Sequence, residues 1–250
     1  MMRIALLVLS MLLSLPGWAG ERVNVFAAAS LKNALDAAAR DFEARTGNRV
    51  TITYGATSNL ARQLIQGAPG DVFLSASVAW MDELADAGLV EPGTRRTMMR
   101  NSLVVVAHDP SEAPLGALAD LPARIGPNGR LATALLRAVP AGIYARQAME
   151  SAGVLGALRP TIAQADNVRV ALAFVVRGDA SHGIVYRTDA GAEPQLATIL
   201  EIDAAMHEPI VYPGAVVRGA GAAATSFLDF LAGTDGFAPF AAEGFVAGDG

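Results

Sequence analysis

The 250-residue sequence contains no cysteine. Disulfide stapling and thiol catalysis are therefore excluded. A lipid-anchored bacterial lipoprotein needs a cysteine at its cleavage point, so the mature protein is expected to be soluble in an exported compartment. Lysine is almost missing as well: Lys32 is the one lysine among 19 basic residues, and no basic run or stripe occurs. With a formal net charge of -5, nucleic acid is not an expected partner. The three histidines, His108, His182 and His207, lie far apart and lack the spacing of a zinc site. There is no G-x-S-x-G elbow, P-loop or dinucleotide fingerprint. An acidic chain of this kind binds an anion through local donors or not at all.

What is present is apolar. Hydrophobic residues make up 52% of the chain and charged residues 17%, enough for a large core and too apolar for disorder. Residues 1–19 read as a secretory signal peptide: Arg3, an apolar run from Ile4 to Leu15, Pro16, then small residues Gly17 and Ala19. The run is too short to cross a bilayer, and cleavage near Ala19 would leave a periplasmic protein beginning at Gly20. Beyond it, strand and helix patterns alternate, which implies an α/β fold with largely parallel sheets. Strands are expected at Val23–Ala27, Val50–Tyr54, Asp71–Ser75, Ser102–Ala107, Arg130–Thr133 and Gly183–Tyr186. Helices are expected at Leu31–Thr46, Asn59–Gln66, Val78–Ala87, Ile143–Ser151, Val168–Arg177 and, last, Ala222–Leu231. The pattern divides into two halves. Residues 20–101 with 210–250 would form one lobe and 102–209 the other, hinged on the apolar strands SLVVVA and IVYPGAVV.

Four helix starts carry the chemistry. VFAAASL places Ser30 where a strand ends and a helix begins, the position of an N-cap. GATSNL does the same with Thr57 and Ser58. VPAGIYA bares backbone N–H groups at Ala141 and Gly142, and ADNVRVAL does so at Asn167 and Val168. A helix N-terminus offers unpaired N–H groups and partial positive charge, and ligands of open α/β sheets bind beside such ends. Each alone is an ordinary cap; two in each half make an anion-binding cleft plausible. Tyr186 ends a strand, and its phenol adds either a donor to that cleft or bulk to the core. None of these positions carries a carboxylate, so the site favours an anion without a proton.

In this order, VFAAASL, GATSNLARQLIQGAPGDVFLSAS, NSLVVVA, VPAGIYA, DNVRVALAFV and GIVY resemble the periplasmic molybdate-binding proteins, the substrate-binding components of molybdate ABC importers. The resemblance spans essentially the whole mature chain. It implies a two-lobed type II periplasmic binding protein with the ligand between the lobes. It also implies capture of molybdate or tungstate without a cofactor, delivery to a membrane permease, and a monomer rather than an enzyme. Oxyanion contacts would come from the hydroxyl of Ser30, from that of Thr57 or its neighbour Ser58, from the N–H groups of Ala141 and Val168, and from Tyr186. Two positions depart from the family pattern. Thr57 stands where serine is usual, and ALLRAVP replaces a Gly-Asp-Pro turn before the PAG segment. The alternatives are a binder of sulfate or a ferric complex on the same fold and, further off, an exported α/β enzyme.

Overall fold

Strand and helix alternate throughout the computed structural model, which describes residues 20–248. The expected signal peptide lies outside the described residues. β1 (Arg22–Ala28) passes through a single 3-10 turn (Ala29–Leu31) into α1 (Lys32–Thr46). β2 (Arg49–Gly55), α2 (Thr57–Ile65), β3 (Val72–Leu74), α3 (Val78–Asp86) and β4 (Arg96–Arg100) follow. The next stretch holds β5 (Leu103–Ala107), α4 (Leu121–Ile125), β6 (Leu131–Ala134), α5 (Pro140–Ser151), α6 (Leu155–Leu158) and β7 (Ile162–Ala165). It continues with α7 (Val168–Val176), β8 (His182–Tyr186), α8 (Arg187–Gly191) and β9 (Ala197–Glu201). β10 (Val211–Val216), α9 (Ala222–Ala232), α10 (Thr234–Ala242) and β11 (Val246–Ala247) close the chain. No helix among the described residues is long and apolar enough to cross a membrane.

Two sheets result, one in each lobe. The first has strand order β11-β4-β10-β3-β1-β2 and the second β7-β6-β8-β5-β9. In the first lobe β1 runs parallel to β2 and β3, while β10 returns antiparallel between β3 and β4. In the second, β6 lies parallel between β7 and β8, and β5 lies antiparallel between β8 and β9. The two-lobed α/β architecture is thus present, with mixed rather than purely parallel sheets.

The hinge needs correction. SLVVVA is not a hinge strand: its residues Leu103–Ala107 form β5, an interior strand of the second sheet in which every residue is fully inaccessible. IVYPGAVV likewise supplies β10 to the first sheet. A fully apolar strand satisfies its backbone polar groups best inside a ladder, so it belongs in a sheet and not at a crossing. The chain crosses just outside these strands, around Asn101 and again before Ile210. The Asn101 N–H donates to the Ile210 carbonyl (3.2 Å), and the Ile202 N–H donates to the Leu103 carbonyl (2.9 Å).

The helices follow their apolar spacing. α1 buries Ala34, Leu35, Ala38, Ala39 and Phe42 on one face and stops at Gly47, whose φ of 75° suits glycine. Phe42 meets Phe227 of α9 edge-on with ring centroids 5.0 Å apart. Burial of each such ring contributes roughly 1.5–3 kcal/mol. The helix at Ala222–Leu231 is not the last one: α10 follows it. Its sequence, TDGFAPFAA, carries Gly236 and Pro239, which argue locally against a helix. Packing overrides propensity here. Gly236 lies so near the end of α9 that a Cβ would sit 2.0 Å from the Phe230 carbonyl oxygen. β4, β7 and β9 are not expected from the sequence pattern; β7 and β9 lie at sheet edges.

Candidate functional site

Three turns of the first lobe converge at the carboxyl ends of its parallel strands. β1 runs out through Ala28 and Ala29, whose small side chains let the backbone curl into the 3-10 turn that holds Ser30. Ser30 does not cap α1 as its position suggests; no side chain caps either helix there. The extra turn moves Ser30 inside the helical segment, so its hydroxyl is released from capping. Thr57 and Ser58 are not caps either. Ala56 is the N-cap of α2, and they are its first two residues, placed before the first backbone bonds, which Asn59 and Leu60 make to the Ala56 carbonyl (3.0 and 3.1 Å).

The second lobe presents backbone instead. In α5 the first i→i−4 bond runs from the Ile143 N–H to the Val139 carbonyl (2.9 Å), so the N–H groups of Ala141 and Gly142 precede the ladder. Pro140 at the first helical position has no N–H to satisfy. ALLRAVP forms its own turn, with the Val139 N–H donating to the Leu135 carbonyl (3.1 Å). Gly142 fits against that turn: a Cβ would lie 2.3 Å from the Ala134 carbonyl oxygen and 2.4 Å from that of Leu135. In α7, Asn167 caps by accepting from the Val170 N–H (3.1 Å), and the ladder begins when the Ala171 N–H donates to the Asn167 carbonyl (3.1 Å). The N–H of Val168 is left over.

These ends enclose one small cavity between the lobes. Its wall includes Ser30, Thr57 and Ala76 from the first lobe, and Ala141, Val168 and Tyr186 from the second. Its volume is about 20 Å³, where about 10–15 Å³ already holds one water molecule. It therefore admits one compact group. Among the described residues, no charged side chain lines it. The structure brings together five of the six positions that the resemblance assigns to oxyanion contact. Ser58, the sixth, is buried beside them but does not line the cavity, and its hydroxyl has no partner among the described residues. His182, four residues before Tyr186 in sequence, sits at the other end of β8 and bonds to Glu112 (3.0 Å) and Ser181 (3.0 Å).

The hydroxyls have defined partners. Thr57 Oγ1 accepts from the Ala76 N–H at 3.0 Å, so its own hydrogen remains for the cavity. Ser30 Oγ lies 2.9 Å from the Tyr212 hydroxyl. The Tyr186 hydroxyl, on a residue 1% exposed, has no hydrogen-bond partner among the described residues. Burial, with the neighbouring Tyr212 phenol adding to it, pushes the Tyr186 phenol well above the usual tyrosine range, so it keeps its proton. Tyr212 went unrecognised in the sequence, since 182 residues separate it from Ser30.

A buried ion pair stands behind the second-lobe wall. Arg169 of α7 places Nε 2.5 Å from Oδ1 of the fully buried Asp189, and its Nη2 donates to the Ser30 carbonyl across the lobes (3.4 Å). Tyr144 of α5 also crosses, donating to the Ala76 carbonyl (3.4 Å). Burial pushes the Asp189 carboxyl up to about 7 against the opposing pull of Arg169. Burial also raises Glu243, again countered by Arg169.

Comparison with known proteins places the fold and the cleft in a family. Residues 23–246 match the model of the bacterial extracellular solute-binding protein family. The chain is 38% identical over 229 residues to the molybdate-binding protein ModA of Escherichia coli (strain K12), covering 90% of this chain and 89% of that one. The chain belongs to the molybdate-binding family of bacterial extracellular solute-binding proteins. The ModA protein of Haemophilus influenzae is 35% identical over 211 residues, 80% of each chain. Among solved structures, the periplasmic molybdate-binding protein of Azotobacter vinelandii superposes with a TM-score of 0.79 at 26% identity, covering 90% of this chain and 98% of that one. The family member described here keeps the two-lobed frame along essentially the whole relative.

Proposed function

We propose that this chain captures molybdate, and tungstate with it, outside the cytoplasm and delivers it to the membrane permease of an ABC importer. The observation that carries the reading is the cavity wall: hydroxyl and backbone donors from both lobes and no carboxylate. Molybdate at neutral pH is a tetrahedral dianion with acceptor oxygens and no proton, so donors alone satisfy it. We assign those donors to the hydroxyls of Ser30, Thr57 and Tyr186 and the N–H groups of Ala141 and Val168. Hydrogen bonds to a charged group contribute roughly 1.5–3 kcal/mol each, so five offset much of the cost of dehydrating the ion. Two helix N-termini add favourable dipoles without a counter-charge.

The relatives named above are molybdate-binding proteins, which supports the choice of anion and of a carrier over an enzyme. A ferric ion would want anionic ligands. The wall offers one phenol, and burial keeps that phenol protonated. We take residues 20–101 with 210–250 as one lobe, 102–209 as the other, residues 1–19 as a removed signal peptide, and the carrier as a monomer. Because donors come from both lobes, binding favours the closed arrangement, which then presents a composite surface to the permease.

Calorimetric titration of the mature chain tests the reading. Molybdate and tungstate are expected to bind tightly and to displace each other, and sulfate to compete poorly. Tight sulfate binding with weak molybdate binding would move the chain to the sulfate reading, and no response to any of the three would end the oxyanion assignment.

A further inference from the structure

A hydroxyl donates and accepts. A pocket lined with hydroxyls therefore does not by itself separate a bare dianion from one carrying a proton. In this pocket the hydroxyls are committed from behind. The Ser102 N–H donates to Asn101 Oδ1 (2.9 Å), which fixes the amide so that Nδ2 donates to Thr188 Oγ1 (2.9 Å) and to the Tyr212 hydroxyl (3.4 Å). Tyr212 is 1% exposed, and its ring is held edge-on between Phe245 (5.5 Å) and Tyr186 (5.9 Å). Burial pushes its phenol well above the ordinary range, so it holds its proton. Ser30 Oγ, 2.9 Å away, is placed to accept that proton.

We propose that Tyr212 determines anion specificity by donating to Ser30 Oγ, which fills the acceptor side of the serine and turns its own hydrogen toward the bound anion. The Ala76 N–H does the same for Thr57. Both first-lobe hydroxyls are then obligate donors. A protonated oxyanion such as hydrogen phosphate finds no acceptor for its proton on either first-lobe hydroxyl and is disfavoured there, independently of its size. Tyr212 is a positioning residue, since it acts through Ser30. The inference deepens the oxyanion reading above and rests on it.

Tyr212→Phe keeps the ring and removes the donor. Parent and variant are titrated with molybdate, sulfate and inorganic phosphate at neutral pH. In the variant Ser30 is free to accept, so molybdate and sulfate weaken several-fold while phosphate holds or tightens. The preference for molybdate over phosphate is expected to narrow by about tenfold, the scale of one hydrogen bond to a charged group. In the background of Ser30→Ala, adding Tyr212→Phe should narrow it no further, because the residue through which Tyr212 acts is gone. Equal weakening toward all three anions assigns Tyr212 to packing and overturns the proposal. So does an unchanged preference, or phosphate binding that stays undetectable in the variant. A parent that ignores molybdate refutes instead the reading on which the proposal rests.

Discussion

The two lobes hold the same cavity with different chemistry. The first offers side-chain hydroxyls, Ser30 and Thr57, each fixed by a hydrogen bond from behind. The second offers backbone N–H groups at the starts of α5 and α7, with the Tyr186 hydroxyl beside them. A hydroxyl can be deleted without moving the chain. A backbone donor cannot be deleted, only displaced, so the second lobe is vulnerable at residues that hold its backbone in place and touch no ligand.

The sharpest way to break this contrast is to add one methyl group to each lobe. A Cβ on Gly142 would meet two carbonyl oxygens, at 2.3 and 2.4 Å, and neither can rotate away. Gly142→Ala should push the start of α5 outward and take the Ala141 N–H with it. We expect an affinity loss of about 100-fold, equivalent to about two charged hydrogen bonds, and a stability loss of about 1–3 kcal/mol from overpacking. In the first lobe, a Cβ on Gly55 would first meet Leu60 Cδ2, a movable side chain, at 3.3 Å. Gly55→Ala should cost far less on both counts. Titration calorimetry and thermal melts of the two variants decide it; equal losses would erase the distinction between the lobes.

Deleting a first-lobe donor comes next in size. Ser30→Ala should weaken molybdate by about tenfold or more while the melting temperature of the unliganded protein shifts little. A large drop in stability with unchanged affinity would make Ser30 a core residue and not a ligand contact.

The same contrast explains what was legible in the sequence. The five lining positions were readable because small residues and helix starts at strand ends mark them locally. Their roles as caps were misread for Ser30, Thr57 and Ser58, because one additional 3-10 turn, or a helix starting at Thr57, is invisible in residue type. Tyr212, Asn101 and the Arg169–Asp189 pair carried no local signal. Their partners lie in other elements, and only the crossing of the chain between lobes brings Tyr212 to Ser30. The alternation of the fold was similarly plain, while short edge strands and the Gly- and Pro-bearing α10 were decided by packing.

Charge separates the lobes more gently. In the second lobe, burial holds the Asp189 carboxyl at about 7, above its unfolded value of 3.8. The folded state then binds that proton more tightly, so this group's contribution to stability is greatest at low pH and is lost as pH rises from about 4 to about 7. Asp36 of the first lobe behaves in the opposite sense. Burial raises its carboxyl, but hydrogen bonds from Lys32 and Tyr54 outweigh that and hold it below 3.8. Its stabilisation is present above about pH 4 and is lost as pH falls through the folded value. Asp189→Asn should flatten the decline in melting temperature between about pH 4 and pH 7. A variant whose profile matches the parent's would show that Asp189 titrates normally.

The smallest expected effect separates two adjacent residues. Ser58 and Thr57 are equally buried, at 1% exposure, yet Thr57 lines the cavity and Ser58 does not. Removing the unpartnered Ser58 hydroxyl breaks no hydrogen bond among the described residues, so Ser58→Ala should leave affinity within about twofold and raise stability by up to about 1 kcal/mol. Thr57→Val keeps the shape but removes both the donor facing the anion and the acceptor for the Ala76 N–H, and should cost about tenfold in affinity. If Ser58→Ala carried the tenfold loss and Thr57→Val none, the second first-lobe hydroxyl would be the serine. The bound cleft would then differ from this one by a rotation at the start of α2, and the donor lock on Thr57 would have no part in choosing the anion.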